Sequence, residues 1–556
     1  MTASYETFLA FHPALGPEIH VPNSQERRFP IRLPAMPPSR AFEAAWLVLP
    51  RDFPNSCAIV RLSKDAVLRI PHIEIDGKLC FSGDRGPACN FSPEDRLQEV
   101  LYLFNEEFFV PWLAGELDRD FEDECRTYWE IWVARHKSKL DAIWRVYTVD
   151  ERSAEPQLVG ARLLQPDRTL IVDDSRGVAN NLVVSLSQRA MHATRGPQIM
   201  RAYVAAIPLD SPWTPLIWPK SAAEIDTILR MRLNDRQYRE FSSIKGHHRV
   251  VLFRSPNCNH AYLLPNGPPT VIQRGKSRFA VPTRALLPLS VERADPAWIC
   301  GRDQIPQIES RQAKHVIVFG AGALASSVID QLARAGIGKI TVVDPQNFAS
   351  PNIGRHYLGA ESLHQSKAFS VALRVALANP ACKVEPYDWY AERWLLHHGL
   401  RGADAVLDLT GEPDVRLALE KARQQYAVPL LVAWMEPFVA AAHVACLPAN
   451  LPWLRGGVDP LLDIQAVDWP DDVIQREPGC NSTFQSYTPA QAGFAVSLTA
   501  EAALAVIDGK VDQSTIRSWV RGQRYLDRHY AGLALRPWAK CAATFDGVIL
   551  ERNRSE

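Results

Sequence analysis

The chain carries no excess of charge of either sign: 62 basic side chains stand against 62 acidic ones in 556 residues. Such balance gives no general electrostatic reason to look for nucleic acid or an anionic membrane as a partner, and neither is expected. The opening residues, MTASYETFLAFHP, lack the basic stretch and apolar core of a secretory signal, so a cytoplasmic location is expected. A clean membrane-length apolar run is also missing. The most apolar long stretch, PLLVAWMEPFVAAAHVACLP (429–448), is broken by Glu436 and Pro437 and reads as buried strands. No CxxC pair occurs among the ten cysteines, which lie at 57, 80, 89, 125, 258, 300, 382, 446, 480 and 541. That scatter argues against a four-cysteine zinc site and a secreted disulfide scaffold. No structural zinc is expected, and most thiols should be reduced and buried. Internal repeats and long low-complexity tracts are absent too.

What is present is the composition of a soluble globular protein, 47% hydrophobic and 22% charged, long enough for about three or four domains. Proline-rich breaks at FPIRLPAMPPSR (29–40) and LLPNGPPT (263–270) mark loops or linkers. Between 42 and about 70, short apolar runs alternate with polar turns, as in a small antiparallel sheet. SPEDRLQEVLYLFNEEFFVPWL (92–113) has helical apolar spacing, with Ser92 as its N-cap and acids in its first turn. TYWEIWVARHKSKLDAIW (127–144) reads as an amphipathic helix packing on the first domain. The region 126–300 mixes helix and strand patterns. After 312, strand and helix alternate, which predicts a parallel sheet covered on both faces.

Residues 315–344, HVIVFGAGALASSVIDQLARAGIGKITVVD, carry the clearest chemistry. An apolar strand runs into Gly320 and Gly322, which let the backbone turn and approach a phosphate. The next helix points its free N–H groups at that charge. Ala325 takes the third position of GxGxxG, and Asp344 closes the next strand, placed to accept hydrogen bonds from ribose hydroxyls. By themselves these residues specify an adenine nucleotide, either a redox dinucleotide or ATP.

DPQNFASPNIGRHYLGAESLHQSK then puts Asn352, Arg355 and Lys367 just beyond the acid. The pyrophosphate of a redox cofactor needs no such cations. An enzyme that cuts ATP between the α- and β-phosphates does, because charge grows on the transferring phosphorus and the leaving pyrophosphate. Arginine can hold phosphate oxygens bidentately and lysine supplies a point charge.

GAGALAS, the strand ending in Asp344, NIGRH and SK together resemble the adenylation domain of the ThiF/MoeB and ubiquitin-activating superfamily, over roughly residues 300–556. The resemblance implies a domain that binds ATP with Mg2+, attaches AMP to the C-terminal carboxylate of a protein tail, and works as a homodimer. It assigns Arg355 and Lys367 to the phosphates, Asn352 to orienting them, and Arg302 or Arg311 to the γ-phosphate. Two features depart from the family. In LDLTGEPDVR, Gly411 stands where the metal-binding Asp is usual, so Asp408 or Glu412 is the expected magnesium ligand. The paired CxxC zinc motif is missing, which separates the chain from the sulfur-carrier branch without excluding it.

An acyl-adenylate can be captured by a thiolate as a thioester. REPGCNSTF (476–484) offers Cys480 in a turn-forming loop, at the position of the catalytic thiol loop in many relatives, whereas Cys446 lies in an apolar run. RIPHIEIDGKLCFSGD (69–84) resembles the active-site segment of ubiquitin-conjugating enzymes, with Gly77, Leu79 and Cys80 in place. His72 stands where an Asn normally supports the oxyanion, and could donate a hydrogen bond or position an amine. Cys89 has no such pattern. His247, His248, Cys258 and His260 fit no strong zinc spacing.

The expected fold class is α/β, in three parts. Residues 1–125 form a ubiquitin-conjugating-like α+β domain, 126–300 a mixed α/β linker domain of unassigned role, and 301–556 a Rossmann-like ThiF/MoeB adenylation domain. The whole resembles the fused conjugating and activating proteins encoded beside cyclic-nucleotide antiphage (CBASS) systems. That likeness implies as partners a modifier with a free C-terminal tail, either a cGAS-like nucleotidyltransferase or a ubiquitin-like protein, and a target protein amine. Cys480 would capture the acyl group and Cys80 would receive it. The alternatives are a sulfur-carrier activating enzyme, a nucleotide-dependent oxidoreductase, and a scaffold without chemistry.

Overall fold

The computed structural model describes all residues except 1, 23, 81–91, 137–144, 150–152, 166–167, 173–177, 191–197, 246, 257, 265–269, 275–276, 282–285, 474, 477–482, 485–486 and 554–556. The chain divides into two compact units, one of residues 1–173 with 196–292, the other of 174–195 with 293–556.

The first unit begins with a three-stranded antiparallel sheet in the order β1 (Arg27–Pro30), β2 (Ala45–Leu49) and β3 (Ile59–Leu62). Against it packs the helix Pro93–Leu103. Its cap is the one the sequence implies: the Ser92 hydroxyl accepts from the Asp95 amide and the Asp95 carboxylate accepts from the Ser92 amide. The helix then widens into a π-helical turn, Phe104–Phe109, which brings three phenylalanines, 104, 108 and 109, into the core. The core runs on past residue 125. Trp129, on the helix Cys125–His136, donates its indole N–H to the Leu289 carbonyl at 2.8 Å and packs edge-on against Trp218 and Tyr262.

Residues 145–293 supply a closed seven-stranded barrel, ordered β12–β4–β6–β5–β7–β8–β9. Its strands are β4 (Arg145–Thr148), β5 (Gln157–Gln165), β6 (Thr169–Val172), β7 (Gln198–Pro208), β8 (His248–Arg254), β9 (Asn259–Leu263) and β12 (Leu287–Arg293). A hairpin of β10 (Thr270–Arg274) and β11 (Ser277–Val281) precedes the last strand. Buried Val146, Leu163, Leu170, Val204, Leu252 and Leu289 belong to one cluster, as expected of a small barrel filled by its own side chains.

The second unit is built on an eight-stranded sheet, ordered β15–β14–β13–β16–β17–β18–β21–β22. Strands β13 (His315–Phe319), β14 (Lys339–Val343), β15 (Lys383–Tyr387), β16 (Ala405–Asp408) and β17 (Leu430–Met435) are parallel. Strands β18 (Ala441–Leu447), β21 (Thr515–Val520) and β22 (Val548–Asn553) continue it antiparallel. A short pair, β19 (Gln475–Arg476) and β20 (Thr483–Phe484), stands apart. Strand order reverses between β13 and β16, so the ligand crevice of such a sheet lies at their carboxyl ends.

The apolar stretch 429–448 forms β17, a turn and β18. Its interrupting Glu436 is 1% exposed and fully used, accepting from the Ala466 amide (2.5 Å), the Trp469 indole (2.6 Å) and His443 (2.6 Å). Among the described residues one helix, Pro489–Ile507, is long and apolar enough to cross a membrane, yet Ala495, Leu498, Ala502 and Val506 on it are buried in the core of this sheet. The helix Val178–Ala190 also belongs to this unit: Asn181 donates to the Pro380 carbonyl (3.0 Å) and Ser185 to that of Leu377 (2.9 Å).

Candidate functional site

Strand β13 delivers the chain to a turn that only glycine fits. Gly320 has φ +96°, and a β-carbon there would stand 3.0 Å from the Leu409 carbonyl oxygen and 3.2 Å from the Thr410 nitrogen. Both the left-handed backbone and the backbone neighbours penalise any side chain. Gly322 differs: nothing lies within 4 Å of its would-be β-carbon, so this glycine keeps space clear above the amino end of the helix Ala323–Arg334. No side chain caps that end, which leaves its first N–H groups for a phosphate. Gly320→Ala is therefore expected to lower stability by about 1–3 kcal/mol, read as a fall in Tm. Gly322→Ala should leave Tm unchanged and weaken nucleotide binding.

Asp344 follows β14 and is 6% exposed. Its two oxygens accept from the Ala321 amide (2.6 Å) and the Gln346 amide (2.8 Å). The carboxylate thus ties the glycine turn to the next loop, a task the sequence does not disclose. Each oxygen retains a further lone pair for a hydroxyl. Burial raises its pKa, against the pull of the two amides and of Lys367.

Lys367 opens the helix Lys367–Ala378, is 7% exposed, and donates to the Gln346 side chain at 2.7 Å. Burial lowers its pKa, Asp344 opposes the shift and Arg355 adds to it, so the three charges share one neighbourhood. Arg355 is half-buried with its guanidinium 5.5 Å from the centre of the Tyr487 ring. Asn352 shapes the loop that carries it: the Asn352 side chain accepts from the Ala349 amide (2.9 Å), and its carbonyl accepts from the amides of Arg355 (3.1 Å) and His356 (3.0 Å).

The sequence alone assigns His356 no role. Its Nδ1 accepts from the Leu358 amide (3.1 Å), which leaves Nε2–H to donate to the Ala321 carbonyl at 2.6 Å. Burial pushes its pKa down to about 4, so it is a neutral strut between the cation loop and the glycine turn. The NIGRH string contains it, but only the fold shows what it touches.

The two candidate magnesium ligands differ in setting. Asp408 ends β16 beside Phe319 and is 1% exposed. One of its oxygens accepts from both the Thr410 amide (3.0 Å) and hydroxyl (2.6 Å), and the other faces the buried Arg416 at 3.7 Å. Glu412 is exposed, just before the helix Pro413–Gln425. Of the two arginines considered for the γ-phosphate, Arg311 is committed elsewhere, held bidentately by Asp508 at 2.8 Å on each side. Arg302 is exposed at the end of the helix Pro296–Gly301.

In the first unit, residues 69–80 fold back on β3. The Leu62 amide donates to the Gly77 carbonyl, the Leu79 amide to that of Val60 and the Cys80 amide to that of His72, each at 2.8 Å. Gly77 needs its φ of +88°, because a β-carbon would lie 2.5 Å from the Leu62 carbonyl oxygen. This docking leaves Cys80 exposed. His72, itself at φ +62°, has both ring nitrogens against acids: Nε2 is 2.8 Å from Asp120 and Nδ1 3.3 Å from Glu124. A hydrogen bond from this ring to an oxyanion requires one of those contacts to open.

Those acids raise the His72 pKa, Glu124 most, against the effect of burial, and His72 in turn lowers that of Glu124. The His72 contribution is complete below its unfolded value of 6.5 and fades as pH rises through the raised folded value. The Glu124 contribution is present above 4.5 and fades as pH falls through the lowered one. The Tm advantage of wild type over Glu124→Gln should therefore be larger at pH 6 than at pH 8.5; an advantage constant with pH contradicts the pairing.

Cys480 and Cys89 lie outside the described residues. Cys446 is buried with its pKa pushed up to about 12, as is Cys382. Cys258 and His260 are buried, and among the described residues no group of three or more His, Cys, Asp or Glu could hold a metal ion.

Residues 301–513 match the ThiF family. Over 468 residues the chain is 22% identical to the ATP-dependent ubiquitin transferase-like protein Cap2 of Pseudomonas aeruginosa, covering 79% of this chain and 80% of that protein. Shorter matches reach 32% identity over 122 residues with the adenylyltransferase and sulfurtransferase UBA4 of Yarrowia lipolytica, 22% of this chain and 31% of that one. The molybdopterin-synthase adenylyltransferase of Haemophilus influenzae is 26% identical over 124 residues, 22% of this chain and 51% of that one. With the glycine turn, the buried acid and the cations beside it, these likenesses mark residues 301–513 as similar to the ThiF family and make the chain a transferase of the adenylyltransferase class.

Proposed function

We propose that the chain activates the C-terminal carboxylate of a protein modifier with ATP and conjugates it to a target amine, in defence against phage. The observation that carries the reading is the meeting of Gly320, Gly322, Asp344, Arg355 and Lys367 at the carboxyl ends of β13 and β14. In the first step a carboxylate oxygen of the tail attacks the α-phosphorus. The bond from that phosphorus to the bridging oxygen breaks, and pyrophosphate leaves carrying the charge. Arg355 and Lys367 stabilise that growing charge, and the clear space over Gly322 admits the phosphates.

The acyl-adenylate is next attacked by a thiolate, AMP departs, and a thioester forms. Cys480 is assigned this step from its sequence context. Exchange with the Cys80 thiolate moves the acyl group with little change in free energy. An amine then attacks the Cys80 thioester, loses a proton to solvent and releases the thiol, and the stable amide makes the course hard to reverse. Carrying both cysteines on one chain raises their effective concentration, within a protomer or across a homodimer.

The exposure of Cys80 and the likeness to Cap2 along most of both proteins support a conjugating half. A cGAS-like nucleotidyltransferase or a ubiquitin-like protein is the proposed modifier. Mass spectrometry of the protein incubated with ATP and the products of neighbouring genes tests the reading. A thiol-reversible adduct on Cys480 or Cys80 is expected. Absence of any adduct, with ATP left intact, contradicts it.

A further inference from the structure

Asp344, Asp408 and Glu412 are carboxylates near the glycine turn, and Asp459 acts on Asp408 from across Arg416. Asp344 has each oxygen on a backbone amide and Lys367 beside it. Asp408 is closed off. One oxygen holds the Thr410 amide and hydroxyl, while the other has no hydrogen-bond partner and lies 3.7 Å from the Arg416 guanidinium. Arg416 is fixed there by Asp459 through Nε at 2.6 Å.

Magnesium demands oxygen ligands at about 2.0–2.1 Å in an octahedron and gives up its water reluctantly. A dication on Asp408 would have to enter a site 1% exposed and share the carboxylate with a buried guanidinium of like charge. The donor set at Asp408 does not fit the ion. Between Asp408 and the exposed Glu412 comes Gly411, with φ +77° and nothing within 4 Å of its would-be β-carbon. Room for a ligating side chain exists at the edge of the turn, and the sequence leaves it empty. Beside Asp344 the charges are positive, Lys367 and Arg355.

We infer that residues 408–412 supply no carboxylate to the magnesium of the nucleotide substrate, and that Arg355 and Lys367 are this chain's own counter-charge to the phosphates. Any magnesium is then held by phosphate oxygens and water. The inference rests on the ATP-binding reading above, and it makes ATP affinity nearly independent of metal.

The test is calorimetric titration of the full chain with ATP, once in EDTA and once in excess Mg2+, for wild type, Glu412→Gln and Gly411→Asp. For wild type and Glu412→Gln, the two Kd values should agree within about threefold. Gly411→Asp puts a carboxylate into the open space, at the strain that φ +77° imposes on any side chain though least on Asp or Asn, and in folded protein should tighten the magnesium form over the free nucleotide by about tenfold or more. Wild type binding the magnesium form about tenfold tighter, with the ratio collapsing in Glu412→Gln, would overturn the inference and leave the adenylation reading standing. A folded Gly411→Asp protein with no added metal dependence would also overturn it. Absence of ATP binding in both buffers would overturn the adenylation reading itself, and the inference with it.

Discussion

Lys367→Met is expected to lower the tail-dependent exchange of pyrophosphate into ATP by about 10²–10³-fold, the usual cost of removing one preorganised charge from a transition state. The side chain is almost wholly buried, it donates to Gln346, and its charge lies within reach of Asp344 and Arg355. A cation kept out of water at the carboxyl end of a parallel sheet interacts strongly with charge that develops beside it. Methionine keeps most of the volume, so the loss should fall on kcat more than on stability. Lys367→Arg should rescue poorly, because the Gln346 contact and the tight burial are set for a compact ammonium. Exchange within twofold of wild type, about 0.4 kcal/mol of barrier, would remove Lys367 from the reaction.

Cys80→Ala should separate the two halves of the course. The final amide product is expected to fall by at least about 10³-fold, as for the loss of a nucleophile, while pyrophosphate exchange stays at the wild-type level. The adduct on the upstream thiol should accumulate, because its acceptor is gone. The structure favours this outcome over a folding defect: Cys80 is exposed, and the fold-back that places it depends on backbone hydrogen bonds and on Gly77. Product formed at the wild-type rate would mean that the conjugating half plays no chemical part.

Features set by short-range physics were legible in the sequence. The strand, glycine turn, helix and acid of 315–344 follow from period and backbone freedom, and the Ser92 cap from a contact three residues away. The barrel over 145–293 was not legible. Its strands vary from 4 to 11 residues, and closure joins β12 to β4 across well over a hundred residues, which no local period records. The helix Val178–Ala190 likewise packs on the second unit although its neighbours in sequence belong to the first.

The candidate site divides along the same line. Residue types and order pointed to Gly320, Gly322, Asp344, Arg355 and Lys367, but not to His356 as a strut or to Asp344 as the clasp of the turn. Sequence left Asp408 open as a metal ligand, since the Arg416 that faces it is a neighbour only once the helix after β16 has packed. The resemblance offers Arg311 for the γ-phosphate, and its commitment to Asp508 is invisible in the sequence because the two are remote in the chain.

Exchange of radiolabelled pyrophosphate into ATP, with the purified chain and each neighbouring gene product in turn, tests the central claim most directly. Exchange that requires one such protein, and stops when its last residues are removed, is the expected result. Exchange that is absent with every partner, in a protein shown to bind ATP, would contradict it.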